Sequence, residues 1–159
     1  WFQRAANQDY PKANYQLGQI YLQGLDVQTD ETKAVKYYQL AAEGGYARAQ
    51  YRLGRLYHKG LGVDRDEKTA CDWFINAAKQ GYLKAQCATA IHLAKGLGVT
   101  KDYVQAYAWM TLANKSQNSQ IKDLLFKISK KLTEYQIIEA RTLADKWYGE
   151  QHQISTPSE

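Results

Sequence analysis

Three aspartates, a residue type that can act in catalysis, recur at a constant spacing of 36 residues. They are Asp30, Asp66 and Asp102. A row of carboxylates could take part in acid–base catalysis. Each aspartate, however, directly precedes a segment with helical periodicity. There a carboxylate can accept hydrogen bonds from the unpaired N–H groups of the first helical turn. The spacing therefore favours three helix N-caps over a catalytic row.

Histidine and cysteine, the other residue types common in catalytic and metal sites, show no such regularity. His58 and His92 lie at unmatched positions, and His152 lies near the end of the sequence. Cys71 and Cys87 lack a metal-ligand spacing. The sequence also lacks a G-x-S-x-G element, a phosphate-binding loop, an H-E-x-x-H helix and a dinucleotide fingerprint. We therefore expect no catalytic residue, no metal site and no cofactor.

The two cysteines leave their redox state open. If both are helical, Cys71 precedes the turn at Gly81 by ten residues and Cys87 follows it by six. At about 1.5 Å rise per residue, the two positions are about 6 Å out of step along the helix axes. This mismatch favours two reduced, packed thiols, and one disulfide is the alternative.

Basic residues form a more informative pattern on one side of three helical segments. Positions i, i+4, i+7 and i+11 of a helix share a face. In residues 47–59 this face is entirely basic, and such like charges repel by roughly a few tenths of a kcal/mol per pair. The equivalent faces of 11–23 and 83–95 are less basic, none of the three segments contains Asp or Glu, and tyrosines flank the first two faces. The candidate partner-binding residues are Arg48, Arg52, Arg55, Lys59, Tyr15, Tyr51, Lys12, Lys84 and Lys95. The alternative is a solvated face that keeps the chain soluble.

These helices belong to a unit that repeats without gaps every 36 residues. In the second copy, Ala49, Leu53 and Tyr57 line one helix face, Gly60 ends that helix and Asp66 begins the next. Glycine and alanine at fixed places let helices approach closely, and large aromatic residues fill the remaining space. The pattern predicts helix A over 11–23, 47–59 and 83–95, and helix B over 31–43, 67–79 and 103–115.

The repeated motif A-x-A-Q-x-x-L-G-x-x-Y-x-x-G-x-G-V-x-x-D-x-x-x-A-x-x-W-(FY)-x-x-A-A-x-x-G resembles the Sel-1-like repeat family, a relative of the tetratricopeptide repeats. The resemblance covers 1–118, as a partial repeat 1–10 and full repeats 11–46, 47–82 and 83–118. It implies an all-α fold: a right-handed α/α solenoid with helices A on the concave face and helices B on the convex face. It also implies adaptor or scaffold roles, in bacterial envelope, signalling and host-contact assemblies or in eukaryotic quality-control complexes.

The ends of the repeat array depart from the motif. Asp26 replaces the second loop glycine of the first copy, although Asp tolerates the left-handed region better than most residues. Residues 1–8 read as the end of a helix B whose own helix A is missing. Residues 119–149 predict two C-terminal capping helices, the second with a Thr133–Gln136 capping box, and 150–159 read as a tail.

Charge and length bound the function. The 159 residues can bury a sizeable core, and no apolar run is long enough to cross a membrane. The net charge of +5 permits nucleic-acid binding without demanding it.

The sequence favours a non-catalytic protein–protein interaction module whose basic concave groove binds an acidic peptide or protein surface. The alternative is an anionic polymer, either nucleic acid or acidic polysaccharide. A β-lactam-binding hydrolase ranks third, because the chain lacks the regular cysteine pairs of such relatives. The sequence does not determine the compartment.

Overall fold

The computed structural model describes residues 2–25 and 27–153, and within them it contains α-helices, one short 3-10 helix and no strand. The chain divides into two compact units, residues 1–77 and 78–159. None of the described helices is long and apolar enough to span a membrane. The helices are α1 (Phe2–Gln23), α2 (Glu31–Glu43), α3 (Ala47–Lys59), α4 (Glu67–Lys79), α5 (Leu83–Lys95), α6 (Tyr103–Ala113), α7 (Ser119–Ser129) and α8 (Glu134–Gln153), with the 3-10 helix at Asn114–Ser116.

The repeated aspartates are N-caps, as the sequence predicts. The Lys33 amide donates to Asp30 Oδ1 at 3.0 Å, and the Gln105 amide donates to Asp102 in the same way at 3.0 Å. Asp66 accepts from both the amide and the hydroxyl of Thr69, at 3.1 and 2.7 Å. Each carboxylate thereby satisfies N–H groups that the first turn leaves unpaired, and the capping interpretation is confirmed.

The predicted glycine stops of α3 and α5 are also confirmed. Gly60 and Gly96 adopt φ of 68° and 70°, and each donates its N–H to a carbonyl four residues earlier in the helix. Only glycine enters this left-handed region without strain. Asp26, the predicted substitute for a loop glycine, lies outside the described residues.

The predicted break before residue 11 is wrong, because α1 runs without interruption from Phe2 to Gln23 and includes Asp9 and Pro11. In the next two copies the equivalent break is made by Gly45 and Gly81, both at φ 86°. Asp9 occupies that position in the first copy. A residue with a Cβ loses roughly 1–2 kcal/mol in the left-handed conformation, so the chain remains helical there.

Close helix packing in the first unit depends on glycines facing aromatic rings. A Cβ on Gly18 would lie 2.9 Å from the ring of Tyr38, and a Cβ on Gly54 would lie 2.7 Å from the ring of Phe74. Both rings are almost fully buried. The predicted pairing of small and large residues is thus confirmed, and it places α1 and α3 tightly against the following helices.

The second unit is closed by the predicted pair of C-terminal helices. Thr133 and Gln136 form a reciprocal capping box at the start of α8, with N···O distances of 3.0 and 3.2 Å. Trp147 stacks on the buried Trp109 with ring centroids 4.4 Å apart. α8 continues past residue 149, where the tail was expected to begin, because the Gln151 amide donates to the Ala78 carbonyl at 3.2 Å and holds the last turn. Residues 154–159 lie outside the described part.

Candidate functional site: the basic surface of α3

The α3 basic stripe comprises Arg48, Arg52, Arg55 and Lys59, and it lies on the side of α3 opposite the core. The core side carries Ala49 and Leu53, both fully buried. Because α3 is packed along that side, the four basic side chains point away from the core. Arg48 and Lys59 are exposed, whereas Arg52 and Arg55 are half-buried. A fixed helix therefore presents all four cations in one direction.

At three of its four positions, the α3 basic stripe lacks a carboxylate partner among the described side chains. Among the described side chains, neither Arg48, Arg55 nor Lys59 forms an ion pair with a carboxylate. Arg48 lies in the first turn, where the helix dipole disfavours a cation by about 0.3–1 kcal/mol. Lys59 lies in the last turn, where the same dipole favours a cation. Local stability thus explains Lys59 but not Arg48.

A small pocket of about 80 Å³ opens beside the stripe. This volume corresponds to roughly two or three water molecules, so it fits one side chain or one terminal group. Its wall combines three cations with apolar groups from α1, α2, α3 and the loop after α3. The lining residues are Arg52, Arg55, Lys59, Leu22, Tyr38, Leu56 and Leu61.

Tyr38 and Arg52 interact electrostatically at this pocket. Burial raises the pKa of Tyr38 to about 12, and the positive charge of Arg52 acts in the opposite direction. Tyr38 is therefore a neutral phenol at physiological pH, while Arg52 keeps its charge. The pocket wall remains cationic throughout the physiological range.

Arg55 lies beside an aromatic ring. Its guanidinium carbon lies 6.0 Å from the ring centroid of Tyr51, at the outer limit of a cation–π contact. Tyr51 packs against Phe74 with centroids 5.7 Å apart. Tyr51 thus borders the α3 basic stripe, as expected.

Tyr15 does not border a basic surface, although its helix position predicts this. It is only 8% exposed and belongs to the core. Its ring contacts Tyr38 and Tyr46, with centroid distances of 5.6 and 5.2 Å. The expectation fails because two aromatic rings from α2 and the turn after it cover this side of α1. Tyr15 therefore supports the pocket from behind.

The remaining candidate lysines are exposed. Lys12 lies on α1 in the first unit, and Lys84 and Lys95 lie on α5 in the second. None of the three lines the pocket beside α3. The residues that the structure brings together are Arg52, Arg55 and Lys59.

Sequence reasoning missed the apolar part of the pocket. Leu22, Tyr38 and Leu61 come from three different segments and share no spacing. One signal was available for Leu61: the loop leucine recurs as Leu25 and Leu97, and Leu25 and Leu61 are exposed. The recurrence marks Leu61 as a regular part of the loop, and only the structure shows that it lines the pocket.

Within the described residues, the histidines take part in hydrogen bonds and the cysteines form no disulfide. Glu67 pairs with His58 at 2.8 Å and with Arg65 at 2.6 Å. His92 Nδ1 lies 2.9 Å from the Ala88 carbonyl, which fixes it as a hydrogen-bond donor there. Both cysteines are free; burial raises the pKa of Cys71 to about 11 and also raises that of Cys87. Both thiols are therefore protonated at neutral pH and weakly nucleophilic.

Several solved structures are similar to this chain. The Sel1 repeat protein from Oxalobacter formigenes is 31% identical with a TM-score of 0.71, over 74% of this chain and 49% of that one. c5321, a protective antigen present in uropathogenic Escherichia coli strains that displays an SLR fold, is 30% identical with a TM-score of 0.78, over 100% of this chain and 36% of that one. Cysteine rich protein B of Helicobacter pylori is 22% identical with a TM-score of 0.61, over 77% and 93%, and shows the fold alone.

The chain thus spans less than half of the Oxalobacter protein and little more than a third of c5321. A comparison with curated proteins gave no match. The Sel1 repeat family model matches residues 1–10, 11–46, 47–82 and 83–118, which is well over half of the chain. The chain therefore belongs to the Sel1 repeat family, whose all-α repeats generally serve as protein-interaction modules.

Proposed function

We propose that this chain is a non-catalytic binding module whose α3 basic stripe docks an acidic peptide or an acidic protein surface. The observation that carries the proposal is the pocket beside α3, where three cations surround a small, partly apolar opening. A carboxylate of the partner would lie among Arg52, Arg55 and Lys59. Neighbouring apolar groups of the partner would contact Leu22 and Leu61.

The charge distribution supports an acidic partner. Arg guanidinium groups bind carboxylates in a bidentate manner, and such charge-assisted hydrogen bonds are about twice as strong as neutral ones. Arg48 and Arg55 make no ion pair with a described carboxylate, so binding would not first have to break one. A partner carboxylate would also relieve the repulsion among the four cations.

The rigidity of the surface supports binding by a preformed site. All four cations are on one helix whose opposite side is fully buried, and Arg55 lies beside the ring of Tyr51. Little conformational entropy of the helix is then lost on binding. The apolar wall favours a protein over a polyanion, because phosphate or sulfate chains gain nothing from Leu22, Leu56 and Leu61.

The test measures the affinity of fluorescently labelled peptides for the chain by fluorescence anisotropy. One peptide alternates Glu with Leu, and a second of equal length carries Gln in place of Glu. We expect the Glu peptide to bind, the Gln peptide to bind about tenfold or more weakly, and Arg52→Glu/Arg55→Glu/Lys59→Glu to lose the preference.

The matched control is Lys127→Glu/Lys130→Glu/Lys131→Glu, which makes the same change in net charge at exposed lysines in the last turn of α7 and directly after it. This variant should keep its affinity for the Glu peptide. If both triple variants lose binding equally, the attraction is general and the α3 pocket is not the site. A second outcome would also replace the proposal. If heparin or single-stranded DNA displaces the Glu peptide fully from wild type but no longer displaces it from the control variant, we would assign binding of an anionic polymer instead.

A further inference from the structure

The outward face of α8 is a second surface that the repeats do not explain. The core side of α8 carries the buried Ala140 and Ala144. On the opposite side, Tyr135 is 77% exposed and Ile138 is 63% exposed. These two residues border an open depression of about 430 Å³ along the helix. The lining of this α8 face consists of Tyr135, Ile138, Glu139, Thr142, Leu143 and Lys146.

The charged groups of the α8 face have no partner within the described residues. Glu139 and Lys146 are both exposed, and neither takes part in an ion pair. They are seven residues apart, which is about 10.5 Å along the helix, too far for a direct bond between them. Between them, the Thr142 hydroxyl donates to the Ile138 carbonyl at 2.9 Å, so its proton is already engaged within the helix. The centre of the face is therefore apolar, and its charges lie at either side.

This arrangement is complementary to a copy of itself. When two α8 helices pack antiparallel with Thr142 of each at the two-fold axis, position 139 of one helix lies opposite position 146 of the other to within about one residue, or about 1.5 Å. Glu139 then meets the partner copy's lysine twice, once at each side of the axis. The same register places Tyr135 opposite position 149 of the other copy, which is a glycine.

Gly149 is a second, independent observation. It lies within α8, where glycine is less favourable than alanine by about 1 kcal/mol. A Cβ at this position would meet no atom of the described residues within 4 Å, so packing among these residues gives no reason for the glycine. A large side chain opposite this position would explain the glycine, and in the two-fold register that side chain is Tyr135 of the other copy. We propose that the α8 face is the self-association surface of this chain, and that its occupant is the α8 face of a second copy in antiparallel orientation.

The experiment is sedimentation equilibrium of the whole chain between about 1 and 500 µM, because a single helix pair is at the low end of stable interfaces. Wild type should be a concentration-dependent dimer. Glu139→Lys and Lys146→Glu should each weaken the dimer about tenfold, since by symmetry each creates two like-charge pairs. The double variant Glu139→Lys/Lys146→Glu should restore the wild-type dissociation constant.

Ile138→Asp should abolish the dimer, whereas Lys127→Glu on the exposed side of α7 should leave it unchanged. Circular dichroism would establish that each variant keeps its helices. A wild type that stays monomeric at the highest concentration overturns the proposal and leaves the α8 face for a partner of another kind. A dimer that the double variant fails to restore also overturns it, because a parallel or unrelated interface does not pair positions 139 and 146.

Discussion

Helices α3 and α5 occupy equivalent places in successive repeats; they share features that pack and end the helix, and their outward sides differ. On the side that faces the core, Gln50 donates its side-chain amide to the Ala42 carbonyl at 3.2 Å, and Gln86 donates to the Ala78 carbonyl at 3.4 Å. Both helices end at a left-handed glycine. These shared features end each helix and hold it against the preceding helix of the same unit. The fold therefore requires them in both repeats.

The opposite sides of α3 and α5 diverge. Where α3 carries Arg52 and Arg55, α5 carries Ala88 and Ile91. The four basic residues of α3 thus become two lysines at the ends of an otherwise uncharged face. The shared packing and capping features do not determine which residues stand at these outward positions. In this repeat array, binding specificity is therefore expected at positions where equivalent residues differ.

The largest effect is expected at a core position that differs between the two helices. Leu53 of α3 is fully buried, and the equivalent residue of α5 is Thr89. Leu53→Ala should destabilise the chain by about 2–5 kcal/mol through the cavity that it leaves. Thr89→Ala should cost less than about 1 kcal/mol, because it removes fewer atoms and a hydroxyl without a hydrogen-bond partner. Urea unfolding followed by circular dichroism measures both values, and equal losses would contradict this account of the two cores.

The next effect concerns glycines of the repeat that share a left-handed backbone but differ in surroundings. Gly62 has φ 71°, and a Cβ there would lie 2.5 Å from the Glu31 carbonyl oxygen. Gly62→Ala should therefore cost about 2–4 kcal/mol, from backbone strain together with the clash. Gly45 has φ 86°, and a Cβ there would meet nothing within 4 Å, so Gly45→Ala should cost only about 1–2 kcal/mol. Thermal unfolding compares the stability of the two variants. If Gly45→Ala loses as much stability as Gly62→Ala, the clash with the Glu31 carbonyl plays no part.

Helix positions in the repeats could be predicted because each boundary depends on one local residue. Asp66 caps a helix and Gly60 ends one through hydrogen bonds to residues three or four positions away, so the residue type alone is enough to predict the boundary. The wrong prediction for α1 has the same local cause: Asp9 stands where the later repeats have the glycine that makes the turn. The prediction failed because it transferred a break from later copies without requiring the residue that makes it.

The candidate site could be predicted only in part. The α3 basic stripe follows from helical spacing, but its pocket also needs Leu22 and Leu61, which reach it through tertiary packing. Tyr15 was misplaced because helical angle alone cannot show that Tyr46 covers it. The outward face of α8 was missed because the apolar residues that pack inward already explained a helix, and apolar residues on both sides weaken the periodic signal.

A smaller effect of opposite sign is expected at the α5 core. The Thr89 hydroxyl is buried, and no described group forms a hydrogen bond with it. Replacing it with a methyl group of similar shape removes this penalty, so Thr89→Val should stabilise the chain by about 1 kcal/mol. Denaturant unfolding should show a higher midpoint with an unchanged slope. Loss of stability would mean that the hydroxyl is satisfied in solution, and Thr111→Val, which removes a hydroxyl bonded to the Tyr107 carbonyl at 2.8 Å, is the control expected to destabilise.

The smallest effect is a pH dependence at an exposed cap. Hydrogen bonds from the Thr69 amide and hydroxyl hold the pKa of Asp66 below its ordinary value. A lowered pKa in the folded state means that the unfolded chain takes up the proton first as the pH falls. The stabilisation is therefore fully present above about pH 4, and it disappears as the pH falls through the lower pKa of the folded state.

The variant Asp66→Asn isolates the charge of this cap, because it keeps a capping oxygen but carries no carboxylate. It should be less stable than wild type at pH 7 and approach wild type near pH 3. Urea midpoints at the two pH values measure the gap, and Asp64→Asn makes the same change at an exposed residue that caps no helix, as the control. A gap for Asp66→Asn that stays constant with pH would assign the effect to hydrogen-bond geometry, with no contribution from the charge.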